Sequence, residues 1–456
     1  MKRSRWMALG AIVLALLVAG CGSTRTAKHP FDPDYQEPRV DFSRYESVQG
    51  RVGQDPKRAV ALAISGGGQR AANFAASVMC ELEEFSRNNV KINLLAEVDY
   101  ICTVSGGGLA AAAYISKLRD FLKAYPDDPS SKFTFRAALE ESIGDKPSIM
   151  RNLEKGYHHV LVGSIFDPRT WGMLDRGDFL ERAFDDKFLG NEVRKEPSLT
   201  LREVFVPKDA GRKPALPYWI PTSANYQNGA IFPHTPDMYE RYGIIEYVHR
   251  LRSISLGENP DYFSIPLAVG LKASASFPGA VPATTLESSW QKKKGYRRSN
   301  RFIHLGDGGM ADNLGVVTAL RALRHHEEDD RVLIIIDAYN GETEPFSRRK
   351  GSPMAVEVGV RNLTIGLDSR RIRLKDIVGP DPVKDSEGRV LMGTTHDGIK
   401  VIFMSFDLLD NSLRHKARRV PTSFDITGDE QTTLFDAGKQ VVGTQGEQLY
   451  RVFGGL

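Results

Sequence analysis

The chain has 456 residues, a formal charge of +4, 41% apolar and 26% charged residues, which suits one large folded domain or two ordinary ones. That balance excludes nucleic-acid binding by bulk charge, because three of the excess positive charges are Lys2, Arg3 and Arg5, at the very start of the chain. Those basic residues open a targeting segment, residues 1–20, whose apolar stretch Trp6–Ala19 is too short and too near the N-terminus for a membrane-spanning helix.

The segment closes on Leu17-Val18-Ala19-Gly20-Cys21, which resembles the lipobox of bacterial lipoproteins. The resemblance implies cleavage before Cys21, lipidation of its sulfur and amine, and stable anchoring by several acyl chains. Gly22 in place of an aspartate is similar to the signal for outer-membrane sorting, so the expected location is the bacterial cell envelope. Residues 22–57 are polar and carry prolines, and with the lipidated Cys21 they read as a tether, with a reach of roughly 30 Å if flexible. The other two cysteines, Cys80 and Cys102, lie in apolar surroundings and read as one disulfide or as two buried thiols.

From residue 58 the pattern changes. Ala59–Ile64 is an unbroken apolar run, the signature of a central strand covered on both faces. It leads into Ser65-Gly66-Gly67-Gly68 and a helix from about Ala71 to Phe85. A second strand ends at Val104, a second turn is Ser105-Gly106-Gly107-Gly108, and a second helix runs to about Ala124. Two strand–turn–helix units predict an α/β fold: three layers, a mainly parallel central sheet flanked by helices, with the active-site loops at the strands' carboxyl ends. Residues 125–215 read as a mostly helical insertion, with a helical period in Asp175–Gly190. Strand character returns at Tyr218–Ser223, Arg301–Leu305, Arg331–Tyr339 and Lys400–Leu408. Residues 267–283 start helical and break at Pro278, and a closing helix spans Glu430 to about Val442. The folded body is thus 58–442, and 443–456 reads as a C-terminal tail.

Both turns suit a serine nucleophile. A sharp strand-to-helix bend exposes the serine and aims backbone N–H groups the same way, and small neighbours let the bend close. The residues after the two turns differ. Gly66–Gly68 can form an anion-binding nest with Arg70 beside it, a place for a negative oxygen. The second turn has no such charge and is the better seat for the attacking serine, Ser105. Asp307, after a short strand and before two glycines, is an uncrowded candidate base, although taken alone it reads more readily as a turn or capping aspartate. His304, His396 and His415 are candidates for a histidine base instead, with no spacing that marks one out. Asp337, Asp312 and Asn313 read as structural, and the cluster His325–Arg331 as a solvated charge patch rather than a metal site.

Together, Ser65–Ala71 ("SGGGQRA"), Val104–Gly108 ("VSGGG") and Asp307–Gly315 ("DGGMADNLG") resemble the patatin-like phospholipases, including the branch related to cytosolic phospholipases. "LKASASFPGAVPA" and Val420–Gly438 are similar to further segments of that family. The resemblance implies a Ser–Asp dyad without histidine: Ser105 the nucleophile, Asp307 the base, and Gly66, Gly67, Gly68 and Arg70 the oxyanion loop. It implies a lipid ester substrate and no metal or other cofactor. The sequence departs from the family pattern at Thr103 and Ala71, where glycines are expected. A lipid-binding envelope protein with a relict site is the reading from a different class.

Overall fold

The computed structural model describes residues 39–47, 54–125, 133–142, 148–154, 157, 160, 163, 176–189, 199–247, 254–256, 260–288, 301–326, 330–341 and 377–454. The targeting segment and Cys21 lie outside the described residues.

In chain order, β1 (Arg58–Ile64) runs into α1 (Gly68–Glu83), a small hairpin β2 (Ser86–Arg87) and β3 (Val90–Lys91), then β4 (Tyr100–Val104) and α2 (Gly107–Ala124). The helices α3 (Phe135–Glu140), α4 (Ile149–Glu154), α5 (Arg176–Phe188) and α6 (Leu201–Val204) follow, so the described part of the insertion is helical. Next come β5 (Tyr218–Asn225), β6 (Ile231–Pro233), α7 (Pro236–Arg241), β7 (Ile244–Tyr247), β8 (Ile254–Ser255), α8 (Leu267–Ser274), β9 (Thr284–Ser288) and β10 (Arg301–Asp307). The chain closes with α9 (Gly309–Asp312), α10 (Val316–Leu323), β11 (Asp330–Asp337), β12 (Val383–Lys384), β13 (Val390–Thr394), β14 (Lys400–Ser405), α11 (Asn411–Arg419), α12 (Gly428–Thr444) and α13 (Gly446–Phe453).

These strands make one 12-stranded sheet in the order β12-β13-β14-β11-β1-β4-β5-β10-β9-β7-β8, with β6 paired to β5. Its heart, β14-β11-β1-β4-β5, is parallel. Both margins are antiparallel: β12-β13-β14 on one side, and β5-β10-β9-β7-β8 on the other. The heart strands are those that read as continuous apolar runs. Residues Ala59–Ile64 and Val332–Ile336 are all 0–1% exposed, as strands need to be when helices cover both faces. Each fully buried Leu or Ile there contributes about 1.5–3 kcal/mol relative to an exposed one. The margin strands are shorter and more polar, and Glu287 and Ser288 of β9 are buried among them.

Several boundaries differ from the expectation for local reasons. The helix α1 starts at Gly68 because the third glycine of the turn is already its first residue. The segment after Asp307 is two helices, since Asp312 accepts the amides of Leu314 (3.0 Å), Gly315 (3.1 Å) and Val317 (2.8 Å) and Gly315 turns at φ 71°. Residues 443–456, expected as a tail, carry α13, which buries Leu449 and Phe453. Part of the expected tether is docked. Phe42 meets Tyr100 edge-on at 5.5 Å, and the Tyr45 hydroxyl donates to Asp237 Oδ1 at 2.6 Å, so residues 39–47 lie at the amino ends of β4 and β5. Cys80 and Cys102 are both buried free thiols, and burial pushes both upward in pKa.

Candidate active site

The two glycine turns stand side by side at the carboxyl edge of neighbouring parallel strands, because β1 pairs with β4. They approach backbone to backbone. A Cβ on Gly106 would lie 2.1 Å from the Gly68 carbonyl oxygen, and one on Gly107 2.5 Å from that of Ser65. Glycine at 106 and 107 is therefore a demand for space. At Gly67 (φ 143°) and Gly68 (φ 59°) it is a demand for backbone conformations that other residues avoid.

The two serines have different surroundings. Ser65 is 1% exposed, and its hydroxyl accepts the Ala338 amide at 2.9 Å, which ties the turn to the end of β11. Ser105 is half-buried and has a φ of 49°, a left-handed conformation that costs a non-glycine residue on the order of 1–3 kcal/mol. Such strain persists only where the surroundings impose it. The Ser105 amide is fixed by the Ser274 hydroxyl at 2.8 Å, which in turn donates to the Thr222 carbonyl at 2.7 Å.

Strand register brings the distant aspartate to Ser105. Val104 is level with Thr222 on β5, and Ser223, one residue on, is level with Asp307 on β10. Ser105 and Asp307 thus flank β5 at one height, although β10 runs antiparallel and delivers its aspartate from the opposite direction. The Ser105 hydroxyl lies close enough to the Asp307 carboxylate to favour its charged form. Burial raises the Asp307 pKa to about 6, against the pull of the Gly309 amide, which donates to Oδ1 at 2.8 Å, and of the Ser105 hydroxyl. The two glycines after Asp307 are needed at close quarters. A Cβ on Gly308 would meet the Thr222 oxygen at 2.1 Å, and one on Gly309 would meet Asn313 Oδ1 at 2.7 Å.

A family model described as patatin-like phospholipase matches residues 62–320, a stretch that holds both glycine turns and Asp307. The chain belongs to the patatin-like phospholipases. The family is one of carboxylic ester hydrolases. No curated protein matches the sequence. Among solved structures it is similar to human GIVD cytosolic phospholipase A2, with 12% identity and a TM-score of 0.42 over 86% of this chain and 62% of that one. The same human protein in complex with methyl gamma-linolenyl fluorophosphonate gives 13% identity and a TM-score of 0.41, over 87% and 58%. This patatin-like chain spans about three fifths of the length of those phospholipase chains.

The residues expected to form the oxyanion loop divide into two pairs. The Gly66 amide donates to the Asn313 carbonyl at 3.0 Å, so Gly66 ties the first turn to the segment after Asp307. The Arg70 guanidinium is buried and donates from Nε to the Ala338 carbonyl and from Nη1 to the Val420 carbonyl, both at 2.9 Å. Its Nη2 still lies 3.2 Å from where a Gly67 side chain would begin, so its charge stands beside the loop. The amides of Gly67 and Gly68 have no hydrogen-bond acceptor among the described residues.

The two departures from the family pattern fit without crowding. The Thr103 hydroxyl is held by the Trp219 indole N–H, which donates to it at 3.0 Å. The Ala71 Cβ packs 3.3 Å from the Cβ position of Gly67. The three candidate histidines are elsewhere: His304 is exposed on β10 and bonded to Thr285 at 3.0 Å, and His396 and His415 are exposed. His234 is buried between Ser223 (2.7 Å) and Tyr239 (2.6 Å), and burial lowers its pKa to about 3. Asp337 accepts the Tyr339 amide at 3.0 Å, and His326 lies 2.7 Å from the Tyr100 hydroxyl; residues 327–329 of the charge cluster are outside the described residues.

Sequence reasoning missed Ser274 and understated Asn313. Ser274 lies within "LKASASFPGAVPA", where the run of small residues was legible but not which hydroxyl would reach the bend. Asn313 Oδ1 lies 2.6 Å and 2.7 Å from the Cβ positions of Gly66 and Gly309, between the two loops.

Proposed function

We propose that this chain is a lipid acyl hydrolase that cleaves carboxylic esters of phospholipids or lysophospholipids through an acyl-enzyme on Ser105. The observation that carries the reading is the register that sets the strained Ser105 and the buried Asp307 carboxylate at one height on either side of β5, within each other's influence, in a member of an ester hydrolase family. Asp307 takes the Ser105 proton as Oγ attacks the ester carbonyl carbon. A base with a pKa near 6 is ionised at neutral pH and still strong enough to accept that proton. The negative carbonyl oxygen is received by the Gly67 and Gly68 amides, with the Arg70 charge behind them and Gly66 holding the loop in place. When the tetrahedral species collapses, the alcohol leaves with the proton from Asp307 and the acyl group stays on Oγ. A water then gives its proton to Asp307 and attacks the acyl carbon, and Oγ departs, recovering the proton.

The lipobox-like segment adds a place of action. Lipidated Cys21 would hold the enzyme on the bacterial envelope, in the outer membrane, beside its substrate. Two experiments test the reading. A fluorophosphonate should label the parent and not Ser105→Ala, and mass spectrometry should find lysolipid or free fatty acid released by the parent alone. An unlabelled parent that releases no acyl product would reject the hydrolase and leave a lipid-binding protein. Mass measurement of the mature N-terminus tests the anchor separately.

A further inference from the structure

The helix α11 has the sequence NSLRHKARR, with Arg414, His415, Lys416, Arg418 and Arg419 among nine residues and no acid. Its position in the fold is unusual. It comes after β14, whose last residue Ser405 is level with Asp337 at the carboxyl end of β11, so its start lies at the carboxyl edge of the sheet. Its far end returns to the same edge: the Val420 carbonyl accepts from Arg70, and the Ser423 carbonyl accepts the Gln69 amide at 2.9 Å. With both ends at one edge, α11 lies across that edge instead of running down a face. This is the edge from which Ser105 emerges.

The helix is amphipathic. Leu413, Ala417 and Val420 face inward, the last two buried, while His415, Lys416 and Arg419 are exposed. Arg418 forms an ion pair with Asp407, and Arg414 donates to the Leu409 carbonyl. The acid nearest in sequence, Asp410, accepts the helix's own amides at Ser412 and Leu413 and a Gln440 N–H. Among the described residues no carboxylate pairs with Lys416 or Arg419. A short helix with an apolar inner face and an uncompensated basic outer face suits the surface of an anionic bilayer.

We propose that α11 is an interfacial helix whose Lys416 and Arg419 face docks on anionic phospholipid, with the catalytic edge turned toward the membrane. The proposal rests on the lipid hydrolase reading for its purpose, but its test does not need turnover. The full-length Ser105→Ala chain is partitioned onto phosphatidylcholine vesicles with and without phosphatidylglycerol. The quantity read is the ratio of the two partition coefficients, so that any acyl anchor, which enters both vesicles alike, cancels. Each basic residue at an anionic surface is worth about fivefold in partitioning, so Lys416→Gln/Arg419→Gln should lower the ratio about 25-fold. Lys208→Gln/Lys213→Gln removes the same net charge from the loop before β5, at the amino edge, and should leave the ratio unchanged. Single Lys416→Gln and Arg419→Gln chains, each expected to lose about fivefold, guard against a double variant that misfolds.

A parent with no anionic preference overturns the proposal. So does a preference that survives both substitutions, or one that falls equally in the amino-edge variant, which would be bulk charge. Wild-type protein that binds anionic vesicles through α11 but cleaves no ester would sink the hydrolase reading and leave the docking surface standing.

Discussion

Two copies of one tetrapeptide stand at adjacent strand ends, and their serines meet opposite surroundings. Ser65 and Ser105 each come directly after a buried parallel strand, and each opens a Ser-Gly-Gly-Gly bend into a helix. The first hydroxyl is taken up by the Ala338 amide and closed off from solvent, while the Gly67 and Gly68 amides of that turn have no acceptor among the described residues. The second hydroxyl meets a carboxylate, and the strained backbone beneath it is held by Ser274. The difference lies in the strand that each turn neighbours: β11 supplies an amide to one, and β10, across β5, supplies Asp307 to the other. The motif makes the bend, and the neighbour decides its use.

The sharpest way to break that contrast is to remove each hydroxyl in turn. Ser105→Ala should lower ester turnover by about three orders of magnitude or more. Ser65→Ala should keep turnover per folded molecule and lose about 1–3 kcal/mol of stability in denaturant unfolding, because a buried amide is left without an acceptor. Comparable loss of turnover in both would mean that the two turns share the chemistry.

Asp307→Asn should abolish turnover as fully, and it makes a second, opposite prediction. The folded pKa of about 6 lies above the unfolded value near 3.8, so this group's contribution to stability is full below about pH 3.8 and is lost as pH rises through 6. At pH 8 the inactive Asp307→Asn chain should therefore be the more stable, by about 3 kcal/mol in chemical denaturation. In the parent, kcat/KM should fall about tenfold per pH unit below about 6, where the base is protonated. An equal or lower stability for Asp307→Asn at pH 8 would mean that the carboxylate is better solvated than its burial implies.

Gly106→Ala tests the contact between the turns. Its methyl would overlap the Gly68 oxygen, so a loss of about 3 kcal/mol is expected, with weaker turnover in whatever folds. Unchanged melting would show that the turns can part. The smallest effect is expected at Ser274→Ala, which removes the acceptor of the Ser105 amide. It should reduce kcat about tenfold with KM held, since the strained serine loses its orientation and not its substrate. Ser274→Thr, which retains the hydroxyl, should recover most of that loss.

The parallel heart was legible because strands covered on both faces read as unbroken apolar runs, as in Ala59–Ile64 and Val332–Ile336. The antiparallel margins β7, β8, β9, β12 and β13 were not. They are two to five residues long and partly polar, too short to carry a pattern of their own, and they exist by pairing with the strands beside them. The helix α11 was missed for a related reason: its apolar side is one narrow stripe among basic residues. Phe42 and Tyr45, read as tether, dock because two aromatic rings find the ends of β4 and β5, which no local pattern announces.

By itself the sequence determined the bends, the helices that leave them and a short roster of hydroxyls, carboxylates and glycines, because each depends on a few consecutive residues and their steric limits. Only the tertiary structure decided that Asp307 stands level with Ser105, that Ser65 is closed by Ala338, and that Gly66 and Arg70 hold the loop together. Those outcomes come from sheet register, in which a pairing between residues hundreds of positions apart places groups at one height. No stretch of the chain read alone carries that information.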